Sequence, residues 1–185
     1  VKGNYVGALV ERVRELTEGI ERQVFAGESV SDDILFDGKC IVDLSRGLSA
    51  ETKSLVMGVI VMRMFEYHSS KSLSKGMNQA LKHVTVLEEA HNLLRKTSIQ
   101  QSQEGANVQG KAVEMITNAI CEMRTYGEGF VIVDQSPTAL DDSVVRNTNT
   151  KIVHRITTSD DYTFVGRSAG ATDEQLTEIP KLRDG

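Results

Sequence analysis

The stretch His83-Val84-Thr85-Val86-Leu87-Glu88-Glu89-Ala90-His91 sets the narrowest limits on the fold, because a run rich in β-branched side chains passes directly into two adjacent carboxylates. Such a run reads as a buried strand of a parallel sheet, and in open α/β sheets the carboxyl ends of the strands face the ligand. If the strand continues through them, Glu88 and Glu89 point to opposite sides. They can then hold different tasks, one towards a hydrated Mg2+ and one towards an attacking water. Carboxylates also favour a helix N-terminus, so a strand followed by an acidic helix start is the plainer reading of the same residues.

The flanking pattern alternates. Val6, Leu9, Val10, Val13, Leu16, Ile20 and Val24 recur at a helical period, which predicts an amphipathic helix over 4–25 in a lead-in of residues 1–30, stopped by Gly27. After the Asp37-Gly38 turn, residues 39–44 read as a short buried strand. Ser49 is a candidate N-cap for a largely apolar helix that runs to about His68, and the polar residues 69–79 read as a surface loop. Residues 96–110 form a polar loop of a length that is uncommon unless functional or disordered. Val113, Ile116, Ile120 and Met123 mark the next helix, with Gly127 as its left-handed cap. Strands are expected at 130–135 and 151–156, separated by the Ser136-Pro137 turn and a short helix at 140–147. A helix is favoured from Ser159, although Tyr162 to Val165 would also suit a strand, and a last short helix from the Thr172/Gln175 capping box completes the chain. This alternation predicts an α/β fold, a mostly parallel sheet with helices on both faces.

With 185 residues, a single domain, 1–185, with a sizeable core is expected. No apolar run approaches the roughly 20 residues needed to span a bilayer, and no charged-then-apolar signal opens the chain, so no membrane partner and a cytoplasmic location are expected. A net charge of −5 argues against a generally basic nucleic-acid surface and leaves room only for a local patch. Cys40 and Cys121 have neither metal-ligand nor disulfide-framework spacing and read as reduced core thiols.

Four pieces in this order resemble the C-terminal half of the ATPase domain in the HerA/FtsK group of P-loop motors, most closely its HerA-like branch. They are Ile41-Val42-Asp43-Leu44-Ser45, the Walker B-like Val84 to Glu89 with Ala90-His91, Glu122 to Gly127 leading into Val131 to Gln135, and Asn147 to Arg155. The resemblance covers residues 35–185 and implies the C-terminal portion of a RecA-like core. It implies that Glu88 orients Mg2+ through water, Glu89 is the general base and Gln135 senses the γ-phosphate. Arg124 and Arg155 are then arginines that reach a nucleotide bound by the adjacent subunit. The cofactors implied are ATP and Mg2+. The assembly implied is a homo-hexamer that translocates DNA, with a nuclease among its candidate partners.

The departures from the family pattern matter. The chain contains no G-x-x-x-x-G-K-[ST] loop to hold the β and γ phosphates, so a C-terminal piece of a longer ATPase is expected, inactive by itself. Glu88 stands where Asp is more common. Each sharp reading also has a bland one beside it. His91 either couples nucleotide state to motion or is a helix-surface histidine, Gln135 can simply satisfy a strand end, and Arg124 suits a helix C-terminus whatever its role. Arg155, inside an apolar strand, calls for an anionic partner. Loop 96–110 either lines a pore and touches DNA or is solvated. The rival function is a non-catalytic assembly module that lends arginines to a partner ATPase. A small α/β binding domain leaves Glu88-Glu89, Arg124 and Gln135 unexplained together.

Overall fold

In the computed structural model, which describes residues 2–19, 21–45, 47–96 and 106–183, the strand-to-carboxylate stretch forms β1 (His83–Glu88). It pairs in parallel with β2 (Glu128–Val133), in a register that runs from His83 opposite Glu128 to Glu88 opposite Val133. Both strands were expected from their β-branched content. The chain divides into two compact units, residues 1–56 and 57–185, and the sheet lies in the second.

In the first unit, the expected helix over 4–25 is broken into α1 (Lys2–Thr17) and α2 (Glu21–Phe25). Between them Gly19 takes a left-handed conformation, φ +61°, which interrupts the helical dihedrals that the apolar period implied. α3 (Asp32–Phe36) follows and buries Phe36. The strand expected at 39–44 is not formed. Among the described residues the segment has no ladder partner; it leaves Ile41 94% exposed and turns at Asp43, whose carboxylate accepts the Ser45 amide at 2.8 Å. An apolar run becomes a strand only when a neighbour takes its amides and carbonyls. Ser49 caps the following helix as expected, its hydroxyl accepting the Thr52 amide at 3.1 Å.

That helix, α4 (Ala50–Lys75), runs well into the polar stretch read as a loop. The Ser70, Ser72 and Ser74 hydroxyls each donate to the carbonyl three residues back, so the polar side chains satisfy themselves along the helix instead of ending it. Gly76, at φ +78°, does end it.

In the second unit α5 (His91–Leu94) follows β1 directly. α6 (Ala106–Met123) begins inside the stretch read as the long loop, of which residues 97–105 lie outside the described set. A 3₁₀ turn, Arg124–Tyr126, then leads through the left-handed Gly127 into β2, as the cap predicted. α7 (Asp142–Asn147), α8 (Ser159–Ser168) and α9 (Asp173–Glu178) complete the unit, the last opened by the expected Thr172/Gln175 capping box. The core gathers Val61 and Met64 of α4 with Leu87, Leu93, Ile116 and Met123. Gly58 brings α4 close to Leu93 and Ile116.

The fold is α/β, but the sheet has two strands among the described residues, and two expectations are corrected. Residues 151–156 form no strand among the described residues, and Ile152 is 84% exposed. Helices on both faces were expected, yet among the described residues only one face is covered. Thr85, Leu87, Phe130 and Ile132 face inwards, Thr85 reaching Met64 Sδ at 3.4 Å, while Val84, Val86, Val131 and Val133 are 42–55% exposed. No helix among the described residues is long and apolar enough to cross a membrane.

At the amino end of the sheet the register is pinned by a buried acid. Glu128 carries a side chain with no exposure; it accepts the Thr85 hydroxyl at 2.6 Å and lies 2.9 Å from His83 Nδ1 through either oxygen and 3.5 Å from His68 Nε2.

Candidate functional site at the carboxyl edge of the sheet

Because β1 and β2 are parallel and in register, their last residues and the polar side chains that follow arrive at one edge. Glu88 ends β1 with its side chain on the exposed face. Glu89 reverses the chain, at a left-handed φ of +50° that a non-glycine residue adopts only when its surroundings impose it. Ala90 extends the ladder by one bond, its amide donating to the Val133 carbonyl at 3.2 Å, and α5 then begins at His91.

From β2 come Asp134 and Gln135. Gln135 Nε2 donates to Glu89 Oε1 at 2.8 Å, which joins two of the residues singled out in the sequence. Asp134, whose side chain is 3% exposed, accepts the His91 amide at 2.8 Å on Oδ2 and lies 2.9 Å from His91 Nδ1 through the same oxygen. Its other oxygen accepts the Ser136 amide at 2.9 Å. An ionised carboxylate only accepts, so this network assigns the ring proton to Nδ1 and leaves Nε2 as the acceptor. Glu89 Oε2 lies 3.5 Å from the same ring nitrogen. One donor atom from each of Glu89, His91 and Asp134 can therefore be chosen so that all lie within 4.8 Å of one another.

Glu88, Glu89 and Gln135 thus gather at one edge, which Arg124 does not share. Arg124 opens the turn before β2, at the opposite end of a six-residue strand that spans about 20 Å. Arg155 is exposed and lies outside any strand of the described residues, not inside one as expected. Asp134 was not singled out from the sequence, although its signal was present: the Asp-Gln ending of the second strand mirrors the Glu-Glu ending of the first.

Chemically, the edge offers a half-exposed carboxylate steered by an amide, and an imidazole steered by a buried carboxylate. The first arrangement suits a base that acts on water, and both suit a divalent cation. No protein-family model matches the chain, and no curated protein matches it.

Proposed function

We propose that the chain is the C-terminal part of a HerA/FtsK-type ATPase, with a RecA-like core completed by a segment that carries the phosphate loop. The observation that carries the reading is the 2.8 Å bond from Gln135 Nε2 to Glu89 Oε1 across the ends of adjacent parallel strands. In this reading Glu89 takes the proton of the attacking water, and Gln135 holds that carboxylate in one orientation and relays the presence of a γ-phosphate. Glu88, exposed at the same edge, suits a contact to Mg2+ through water. Bound ATP and Mg2+ supply the phosphoanhydride and the charge neutralisation. The residues fit the metal and the water, whereas nothing in the sequence fits the β and γ phosphates. Arg124 and Arg155 serve a neighbouring subunit's nucleotide in a homo-hexamer that moves along DNA. The position of Arg124 at the far end of the sheet from Glu89 supports a role in trans, which is also all that a non-catalytic module would need.

The test uses the longer protein with its phosphate loop. Glu89→Gln keeps the shape and loses the base, so hydrolysis should fall by orders of magnitude while ATP binding stays close to wild type. Equal loss of binding and turnover would make Glu89 a structural residue. Mg2+-dependent turnover by the 185-residue chain alone, abolished by Glu89→Gln, would overturn the dependence on a separate phosphate loop.

A further inference from the structure

The geometry points to a binding site for one first-row divalent transition-metal ion at Glu89, His91 and Asp134. This inference stands on the arrangement of donors and does not need the ATPase reading. Glu89 Oε2 and Asp134 Oδ2 both converge on His91 Nδ1, at 3.5 and 2.9 Å. Around an ion with bonds of about 2.1 Å, neighbouring ligand atoms sit roughly 3.0–3.4 Å apart, close to the two separations from Nδ1, and one donor atom from each of the three residues lies within 4.8 Å of the others. An ion entering here takes the place of the Nδ1 proton, which leaves to solvent.

The outer atoms are arranged to support this. Each carboxylate has its other oxygen held by a neutral donor, Glu89 Oε1 by the Gln135 amide and Asp134 Oδ1 by the Ser136 backbone amide. The inner oxygens are thereby aimed while the charges remain uncompensated by any cationic side chain within these contacts. Second-shell donors of this kind orient metal ligands. Asp134 is buried and fixed, His91 starts a helix pinned by its own backbone bond to Asp134, and Glu89 is half exposed.

One imidazole and two carboxylates favour Mn2+, Fe2+, Co2+ or Zn2+ over Mg2+ and Ca2+, which prefer oxygen alone. A bound ion occupies the carboxylate that the ATPase reading assigns to water activation, so the two uses of Glu89 exclude one another, and the ion would hold that chemistry off.

Mn2+ is the suitable probe because Cys40 and Cys121, which are exposed and not in the core as expected, compete poorly for it. Titration of the full chain without nucleotide, with free Mn2+ read by electron paramagnetic resonance, should give one ion per chain. Co2+ should compete for the same site and Mg2+ should compete much more weakly. Glu89→Gln, at an exposed position that leaves the fold in place, should weaken Mn2+ binding at least about tenfold, and Gln135→Ala about tenfold through the second shell. Asp134→Asn should weaken it further, with circular dichroism verifying the fold. Glu174→Gln on α9 should have no effect. Absence of binding at millimolar Mn2+, or binding that Glu89→Gln and Asp134→Asn leave unchanged, overturns the site. Neither result bears on turnover by the longer protein, which tests the ATPase reading separately.

Discussion

Glu128 offers the sharpest test of what holds the sheet together. Its carboxylate has no exposed surface, yet it receives the Thr85 hydroxyl at 2.6 Å and sits 2.9 Å from His83 Nδ1, on the strand position directly opposite. Glu128→Ala would strand both partners. Removing one member of a buried polar pair costs about 3–5 kcal/mol, and because His83 is 25% exposed and can turn to water, the lower end applies, about 3 kcal/mol. Glu128→Gln keeps an oxygen for Thr85 and most of the shape but loses the charge, which costs about 1–2 kcal/mol. For a chain of this size those values correspond to drops in Tm of roughly 6–12 °C and 2–8 °C. Thermal unfolding followed by circular dichroism reads both. The order Ala below Gln below wild type is required; an Ala variant that melts within a degree of wild type would mean that the carboxylate does not tie β1 to β2. A Gln variant as damaged as the Ala variant would mean that charge, and not shape, is what the site needs.

Three further outcomes are expected. Gly127→Ala should destabilise by about 1–3 kcal/mol, since its φ is +91° and an added Cβ would stand 2.6 Å from the Ala80 carbonyl oxygen; an unchanged Tm would show that the turn relaxes freely. Tyr126 has its hydroxyl pKa raised by the hydrogen bond it donates to Glu122 at 2.7 Å and then by burial, so its neutral form contributes stability that is present below about pH 10 and lost as pH rises through the folded value. Glu122→Gln should move its ultraviolet titration towards the ordinary tyrosine range, and a titration that does not move would refute the assignment. In the longer protein, mixing Arg124→Ala subunits with Glu89→Gln subunits should restore part of the ATPase activity that each lacks alone, whereas verified mixed rings without activity, beside a near-normal Arg124→Ala enzyme, would reduce Arg124 to a helix-end cation.

What could be read from the sequence was local. β1 and β2 follow from runs of β-branched residues, the Gly127 cap from a glycine after a helical period, and the start of α9 from Thr172 and Gln175. What could not be read depends on neighbours. Residues 39–44 and 151–156 carry the composition of strands, but a strand needs an edge to pair with, and composition does not reveal whether that edge is there. The extension of α4 through Ser69 and Lys75 was hidden because no apolar period marks it; the stabilisation comes from serine hydroxyls that return to the backbone. The site was legible in half. Glu88 and Glu89 stand together in the chain, while His91 and Asp134 are separated by 43 residues and meet only because two parallel strands end in register.

That register also separates the chemistry of the two sheet ends. At the amino end Glu128 is enclosed, its charge met by Thr85 and His83, and it works on stability. At the carboxyl end the acids keep an open side. Glu89 is held in a left-handed backbone by β1 behind it and α5 ahead, a strain of about 1 kcal/mol or more that a loop built only to connect strand to helix would have avoided with glycine. Strain retained at a half-exposed carboxylate, with an amide fixing one of its oxygens and a histidine beside the other, is what the proposed site would require of Glu89. Arg124 cannot be that ligand's cation from within the same chain, because a strand of about 20 Å lies between them and a side chain reaches only a fraction of that distance. On the proposed ATPase reading, Arg124 therefore meets the developing charge at Glu89 only from a second subunit.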